Sequence, residues 1–279
     1  MQNESKVLVT GATGNVGREI VKQMLGVGQA IRVMSRNVDK VTFANHVEVV
    51  GGDLTNAIQV KEALKGVRKV FLIHVPGADS FPQVCREMGV EHIVFLSSSA
   101  IESATENAIG RMHAHTESLI DESHVDWTFL RPDAFMSNSL QWAKAIREEG
   151  VVRAAFGHVK STPIDPRDIA AVAVKALCSV GHARKIYTLT GPETVTPKDQ
   201  AQIIQGVLGK KVEFIDIPGE MARQQMLQYA PKEIVDALFT LSADSLADPK
   251  PPTKTVEDVT GMPAHTFEQW VMDNRAAFR

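Results

Sequence analysis

The sequence predicts an α/β fold: a doubly wound parallel sheet followed by a smaller mixed C-terminal lobe. Three observations lead there. Short apolar runs alternate with helical periodicity from Lys6 to about Pro132. The runs are continuous rather than alternating, as strands covered on both faces require. The links between them are short, which suits strand–helix–strand crossovers in a single sheet.

Each element has its own signal. KVLVT (6–10) reads as the first strand. Ile20, Val21, Met24 and Leu25 then place an apolar stripe on one face of a helix that Gly28 can end. AIRVMS (30–35) and HVEVVGGD (46–53) follow as strands, 57–66 as a helix and KVFLIHV (69–75) as the fourth strand. Between Val75 and His92 there is room only for a stubby helix over about 79–89, with Pro82 tolerable in its first turn. HIVFLSSS (92–99), a helix over about 107–123 and WTFLRP (127–132) complete six strands.

Beyond Pro132 the rhythm loosens. A helix is expected over 141–150, a strand over 151–157, a helix over 165–179 capped by Asp165 and a strand over 185–191. Thr196, Pro197 and Asp199 look like an N-cap with proline at the first helical position, opening a helix to about Leu208. A strand over 211–217, helices to about Leu246, a Pro-rich linker over 247–255 and a short helix near 266–275 finish the chain. Residues 1–132, with a contribution from 163–190, therefore read as a dinucleotide-binding domain, and 133–279 as mainly a substrate lobe.

Composition narrows the function classes. With 279 residues, 44% hydrophobic, 23% charged and a formal net charge of −3, the chain is an ordinary globular one. It offers no broad electrostatic footing for nucleic acid or an anionic membrane surface. No charged leader is seen, and no apolar run approaches the ~18 residues that span a bilayer, so the cytoplasm is the expected compartment. Cys85 and Cys178 read as reduced, mostly buried thiols. The histidines show no paired ligand spacing, so no metal is expected. No G-x-S-x-G elbow signals a hydrolase.

The chemistry begins at VTGATGNVG (9–17). Gly11, Gly14 and Gly17 form G-x-x-G-x-x-G between a strand and a helix, with Thr13, Asn15 and Val16 in the same turn. The first glycine allows the tight turn, the second lets backbone approach a pyrophosphate, and the third lets helix pack on strand. Backbone N–H groups at the helix start then face the phosphates. At the end of strand two stand Ser35, Arg36 and Asn37, with Lys40 close behind and no carboxylate at the strand tip. Arg36 and Lys40 can pair with a 2′-phosphate, which favours NADPH over NADH as the form of NADP(H) used; a solvated Arg36 is the alternative. Asp53 is placed to reach the adenine amine with Leu54 against the ring, or else simply forms a turn. His74, Val75 and Pro76 end strand four, Ser97 ends strand five and Pro132 ends strand six. In open α/β sheets ligands bind at these carboxyl ends.

With these residues in view, the chain resembles the NmrA-like group of atypical short-chain dehydrogenases/reductases. The resemblance rests on VTGATGNVG (9–17), GDL (52–54), HIVFLSS (92–98), HTE (115–117), TFLRP (128–132), DPRDIA (165–170), YTLTGPE (187–193) and TGMPAHTFEQWV (260–271). It implies a Rossmann sheet. The group includes NADPH-dependent quinone and triphenylmethane dye reductases as well as NmrA-type regulators. Many relatives in the wider superfamily carry Tyr-x-x-x-Lys on the helix after strand five; counting back from Glu117 puts Ile109 and His113 at those positions. Ile109 cannot move a proton. The resemblance gives His113 the nicotinamide ribose or a proton to donate, against a plain helix-surface role. It also takes Arg131-Pro132 past the carboxamide and lets Phe135, Met136, Asn138 and Trp142 roof a small-molecule substrate, although each also suits core packing. Met221, Met226 and Tyr229 are candidates for the other side. The short link before strand five departs from the group's usual longer helix. Two functions stay open: an NADPH-dependent oxidoreductase passing hydride to a quinone, enone or similar acceptor, or an NADP(H)-sensing binding protein without turnover that answers to a protein partner.

Overall fold

In the computed structural model the described residues are 6–40, 42–43 and 46–279, with the side chain of Lys40 outside that description. The chain divides into two compact units. The first holds the chain up to Ser98, Met112–Pro132 and Pro166–Thr188; the second holds Ser99–Arg111, Asp133–Asp165 and Leu189–Arg279.

The elements of the first half run β1 (Lys6–Val9), α1 (Asn15–Gly26), β2 (Ile31–Ser35), β3 (Val47–Gly51), α2 (Ala57–Ala63), β4 (Val67–Ile73), α3 (Phe81–Glu87), β5 (His92–Leu96), α4 (Ala108–Glu122) and β6 (Asp126–Pro132). Then come α5 (Ala143–Glu149), β7 (Val151–Ala154), α6 (Pro166–Cys178), β8 (Lys185–Leu189), α7 (Pro197–Leu208), β9 (Glu213–Asp216), α8 (Gly219–Met226), α9 (Lys232–Ala247), α10 (Thr255–Thr260), α11 (Phe267–Asp273) and α12 (Arg275–Phe278).

The main sheet has seven strands in the order β3-β2-β1-β4-β5-β6-β8, an α/β Rossmann-like arrangement. The pairings β1–β2, β2–β3, β1–β4, β4–β5 and β5–β6 are all parallel. One face buries Leu8, Val70, Leu72, Ile93 and Phe95 against Val60 and Leu64 of α2, Phe81 and Val84 of α3, and Ile120 of α4. On the other lie α1 and α6, which pack on each other through stripes that include Ile20, Met24, Ile169 and Ala173. Burying a side chain of this size is worth about 1.5–3 kcal/mol, so the two covered faces explain why these strands are mostly apolar.

Local signals act where the sequence placed them. Pro82 sits in the first turn of the seven-residue helix α3, where its missing N–H costs nothing. Asn56 Oδ1 caps α2 by accepting from the N–H of Ile58 and Gln59 at 3.1 and 3.2 Å. At α7, Thr196 and Asp199 form a reciprocal capping box behind Pro197.

The second unit has its own core of Met136, Ile146, Val152, Ile204, Phe267, Trp270, Val271 and Phe278, beside the parallel pair β7–β9. Four expectations shift here. Residues Met136–Trp142 form a 3-10 helix rather than an open roof, closed by Ser139 Oγ donating to Met136 O at 2.7 Å. The strand expected over 151–157 stops at Ala154, before Phe156 takes a left-handed φ of 59°. The Pro-rich stretch is strapped down: Thr253 N donates to Thr190 Oγ1 at 2.8 Å and Lys250 Nζ to Glu102 O at 2.8 Å. The final helix is interrupted at Asn274, between α11 and α12.

Candidate functional site

Because the five pairings are parallel, the segments after β1 to β6 all leave the sheet at one edge. That edge brings together the glycine turn, Arg36, Asp53, His74, Ser97 and Pro132, every one of them in the first unit.

The glycine turn is built by exclusion of side chains. Gly11 has φ 62°, and a Cβ there would stand 2.7 Å from Ile73 Cδ1. A Cβ on Gly17 would lie 2.2 Å from Gly11 O and 2.8 Å from Ala12 Cα. Gly14 N donates to Gly11 O at 2.9 Å, and Gly14 is itself the N-cap of α1, with no side-chain cap. A twelve-residue helix thus starts at a glycine turn, with the positive end of its dipole and its first N–H groups at the sheet edge. Thr13 is exposed and its carbonyl accepts from Arg18 Nη2 at 3.1 Å, while Val16 is buried under the turn. The diphosphate of a dinucleotide fits this turn, where the first N–H groups of α1 carry no side-chain cap.

Thr10, which the sequence reading passed over, fixes the turn to its neighbour. Its Oγ1 donates to Phe71 O at 3.0 Å and accepts from Ile73 N at 3.0 Å, stitching the ends of β1 and β4. A threonine ending an apolar strand was the available signal.

Arg36 is exposed in the turn after β2. Lys40, its expected companion, has a side chain outside the described residues. Asp53 Oδ1 accepts from Thr55 N at 2.9 Å and Thr55 Oγ1 at 2.7 Å. Those two bonds, with the charge of Arg36 adding to them, hold its carboxyl below the usual range. Asp53 is thus a turn former, the alternative the sequence had left open; its second oxygen Oδ2 is not engaged by Thr55. Leu54 packs on the edge of the core.

Past β4, His74 Nδ1 pairs with Thr116 Oγ1 of α4 at 3.0 Å. The His74 and His113 ring centroids are 5.4 Å apart, and the Phe95 ring lies 6.1 Å from that of His113. Burial first, then the neighbouring His113 and His115, lower the His74 pKa, with Asp79 opposing them. His74 therefore stays neutral at a pH where an ordinary histidine begins to charge. Val75 is half-buried and Pro76 exposed beside Gly77, which turns with φ 81°. His115 is exposed, 3.7 Å from Asp79.

One turn further along α4 lies a buried polar cluster. Glu117 accepts from Ser97 Oγ at 2.6 Å, from Arg131 Nε at 3.0 Å and from Arg131 Nη2 at 2.6 Å. This two-pronged ion pair joins α4 to the ends of β5 and β6. It commits the Ser97 hydroxyl to Glu117, and Pro132 is buried directly after it. The sequence reading gave Glu117 no role. Its signal was one acid, four residues after His113, facing a lone arginine at the tip of an apolar strand.

The substrate candidates lie in the second unit and are placed unequally. Met136 is 1% exposed in that unit's core and Trp142 packs against it, so both serve packing. Phe135 is half-buried and Asn138 exposed. The segment is pinned by Asp133 Oδ2, which accepts from Thr162 N at 2.9 Å and Oγ1 at 2.5 Å. Met221 and Tyr229 are exposed, Met226 half-buried. Among the described residues, no helix is long and apolar enough to cross a membrane.

Comparison with known proteins agrees with this geometry. A family model for NAD(P)H-binding proteins matches residues 11–179. The chain is 36% identical to (4-alkanoyl-5-oxo-2,5-dihydrofuran-3-yl)methyl phosphate reductase of Streptomyces griseus, over 98% of this chain and 99% of that one. It is 34% identical to an NAD(P)H azoreductase of Xenophilus azovorans, again over 98% and 99%. Its fold is similar to that of an NADPH-dependent quinone oxidoreductase from Escherichia coli, with TM-score 0.81 and 25% identity over 96% of this chain and 99% of that one. Matched by family model and by full-length relatives, and carrying a turn that requires glycine at positions 11 and 17, the chain belongs to the NAD(P)H-binding family and is an NAD(P)H-dependent reductase.

Proposed function

We propose that this reductase takes NADPH in preference to NADH and passes hydride to a small conjugated acceptor such as a quinone or enone, in the cytoplasm. The observation that carries the cofactor preference is Arg36, an exposed guanidinium just past β2, where a 2′-hydroxyl reader would need a carboxylate. When bound, the dihydronicotinamide supplies the hydride. Backbone N–H groups from Asn15 to Gly17 hold the diphosphate, and Arg36 with Lys40 pairs with the 2′-phosphate. Asp53 Oδ2 and Leu54 receive the adenine; Val75, Pro76, Ser97 and Pro132 shape the cofactor bed. His113 bonds the nicotinamide ribose or donates a proton, steadied by a neutral His74.

Ile109 bears on the acceptor. One helical turn before His113, it has no proton to give, so the acceptor must take up negative charge by its own conjugation. A quinone or enone does so. The names of the relatives, a dihydrofuranone reductase, an azoreductase and a quinone oxidoreductase, describe acceptors of this electronic kind. In this reading the first unit binds the cofactor, and half-buried Phe135 and exposed Asn138 are the remaining candidates for contact with the acceptor.

The test is a titration of NADPH and NADH, followed by NADPH consumption against quinones, enones and azo compounds. NADPH should bind more tightly, and Arg36→Ala should weaken it about tenfold or more while sparing NADH, as loss of a charge-assisted contact predicts. Tighter NADH binding would overturn the preference. Tight NADPH binding with no acceptor reduced would favour a sensor that answers to a protein partner.

A further inference from the structure

The glycine turn carries a brace on its exposed side that core packing does not account for. Thr13 and Gly14 are the exposed tip of the turn, and the peptide between them is held at both ends. Its N–H, on Gly14, donates to Gly11 O at 2.9 Å. Its C=O, on Thr13, accepts from Arg18 Nη2 at 3.1 Å. Arg18 is itself exposed, and its own backbone N–H donates to Gly14 O at 3.1 Å. One residue thus clasps the tip twice, by side chain and by main chain.

Charge makes the position unusual. A helix N-terminus carries partial positive charge, so acids stabilise it and cations oppose it. α1 has no acid in its first turn and no side-chain cap, and its fourth residue is Arg18. The acid next in sequence, Glu19, lies 3.8 Å from Lys22. Both the guanidinium and the helix end are therefore better satisfied when an anion sits at the turn. The peptide itself gives a second reason. It has one end that attracts phosphate and one that repels it. With Arg18 in place the Thr13 carbonyl is engaged; without it, that oxygen is free to turn towards the phosphate oxygens.

We propose that Arg18 is a positioning residue for the cofactor diphosphate: by pinning the Thr13 carbonyl it holds the tip of the glycine turn in the orientation that keeps this oxygen off the anion. This rests on the placement of the diphosphate at the glycine turn given above. NADPH and NADH share the diphosphate, so Arg18 serves both, whereas Arg36 serves the 2′-phosphate alone. Arg18→Met tests it, because methionine keeps helix propensity and side-chain length but has no donor. Calorimetric titration should show NADPH and NADH each weakened about three- to tenfold, with their ratio unchanged. In the protein without nucleotide, the Gly14 N–H should exchange with solvent faster in the variant, followed by NMR, while the Tm stays where it was. A loss confined to NADPH would make Arg18 a reader of the 2′-phosphate and overturns the proposal. So does an equal loss with unchanged Gly14 exchange, the mark of charge attraction alone, and so does unchanged affinity for both nucleotides. A Tm lowered together with both affinities would make the role one of folding, and overturns it too. If the unmodified protein binds neither nucleotide, the cofactor reading itself fails. If Gly17→Ala weakens both nucleotides and Arg18→Met weakens neither, only the brace fails.

Discussion

Gly17 carries one of the sharpest constraints among the described residues. Its missing side chain leaves α1 in direct contact with the turn that starts at Gly11, and any Cβ would enter the Gly11 carbonyl at 2.2 Å. Gly17→Ala must therefore push α1 away from β1 or distort the turn. Overpacking of this kind costs about 1–3 kcal/mol, and the displaced N–H groups would lose their aim at the diphosphate. A lower Tm and at least tenfold weaker NADPH binding are expected together. Unchanged binding in a folded Gly17→Ala variant would show that the cofactor does not use this turn. His74 and Glu117 show a different residue-scale effect. Each is one partner in a contact between segments more than a dozen residues apart, and neither has a local motif to announce it.

At the scale of elements, short helices depend on their ends. α7 is twelve residues long, and the Thr196–Asp199 box satisfies donors at its N-terminus that would otherwise face solvent unpaired. Thr196→Ala should cost about 1 kcal/mol and lower the Tm by about 2 °C. Cofactor affinity should be unaffected, because α7 belongs to the second unit. A melting curve and a NADPH titration on the same variant check both halves; a change in NADPH affinity would contradict this division of labour. α4 illustrates how one helix serves several contacts by register. His113, Thr116 and Glu117 fall at spacings of three and four, so one face delivers an aromatic contact to His74 and Phe95, a hydroxyl to His74 and a carboxylate to Arg131. His115, off that face, points to solvent.

For the whole molecule, buried neutral histidines set the acid limit. His92, the first residue of β5, bonds Thr128 at 2.9 Å and is 8% exposed. Burial above all, with the charge of Lys69 adding to it, drops its pKa to about 4. Burial also lowers His74 and His182. In each case the unfolded chain takes up a proton at a pH where the folded one refuses it. Each contribution is full above about pH 6.5 and declines below it, and that of His92 is lost as the pH falls towards 4. His92 alone can account for up to about 3 kcal/mol of that loss. The Tm should fall steadily between pH 6.5 and 4.5, with a shallower slope in His92→Gln. An identical slope in that variant would remove His92 as the cause.

What could be read without coordinates was whatever a few neighbouring residues decide. The run of apolar strands follows from burial on both faces, and the glycine turn spans only seven residues, each constrained by its own backbone. The stubby α3 and the Thr196 cap are equally local. The three-dimensional arrangement decided the rest. Glu117, Ser97 and Arg131 meet only because β5, α4 and β6 are laid side by side. Met136 and Trp142 look like substrate contacts or core with equal ease in sequence, and the folding of α11 and α12 over them made them core. Phe156 carries no motif at all; its left-handed φ occurs where Gly157 lies close against Phe214 of β9. Local chemistry fixes dihedral preferences over one turn of chain, whereas partners distant in sequence are chosen by the sheet order, which no short window contains.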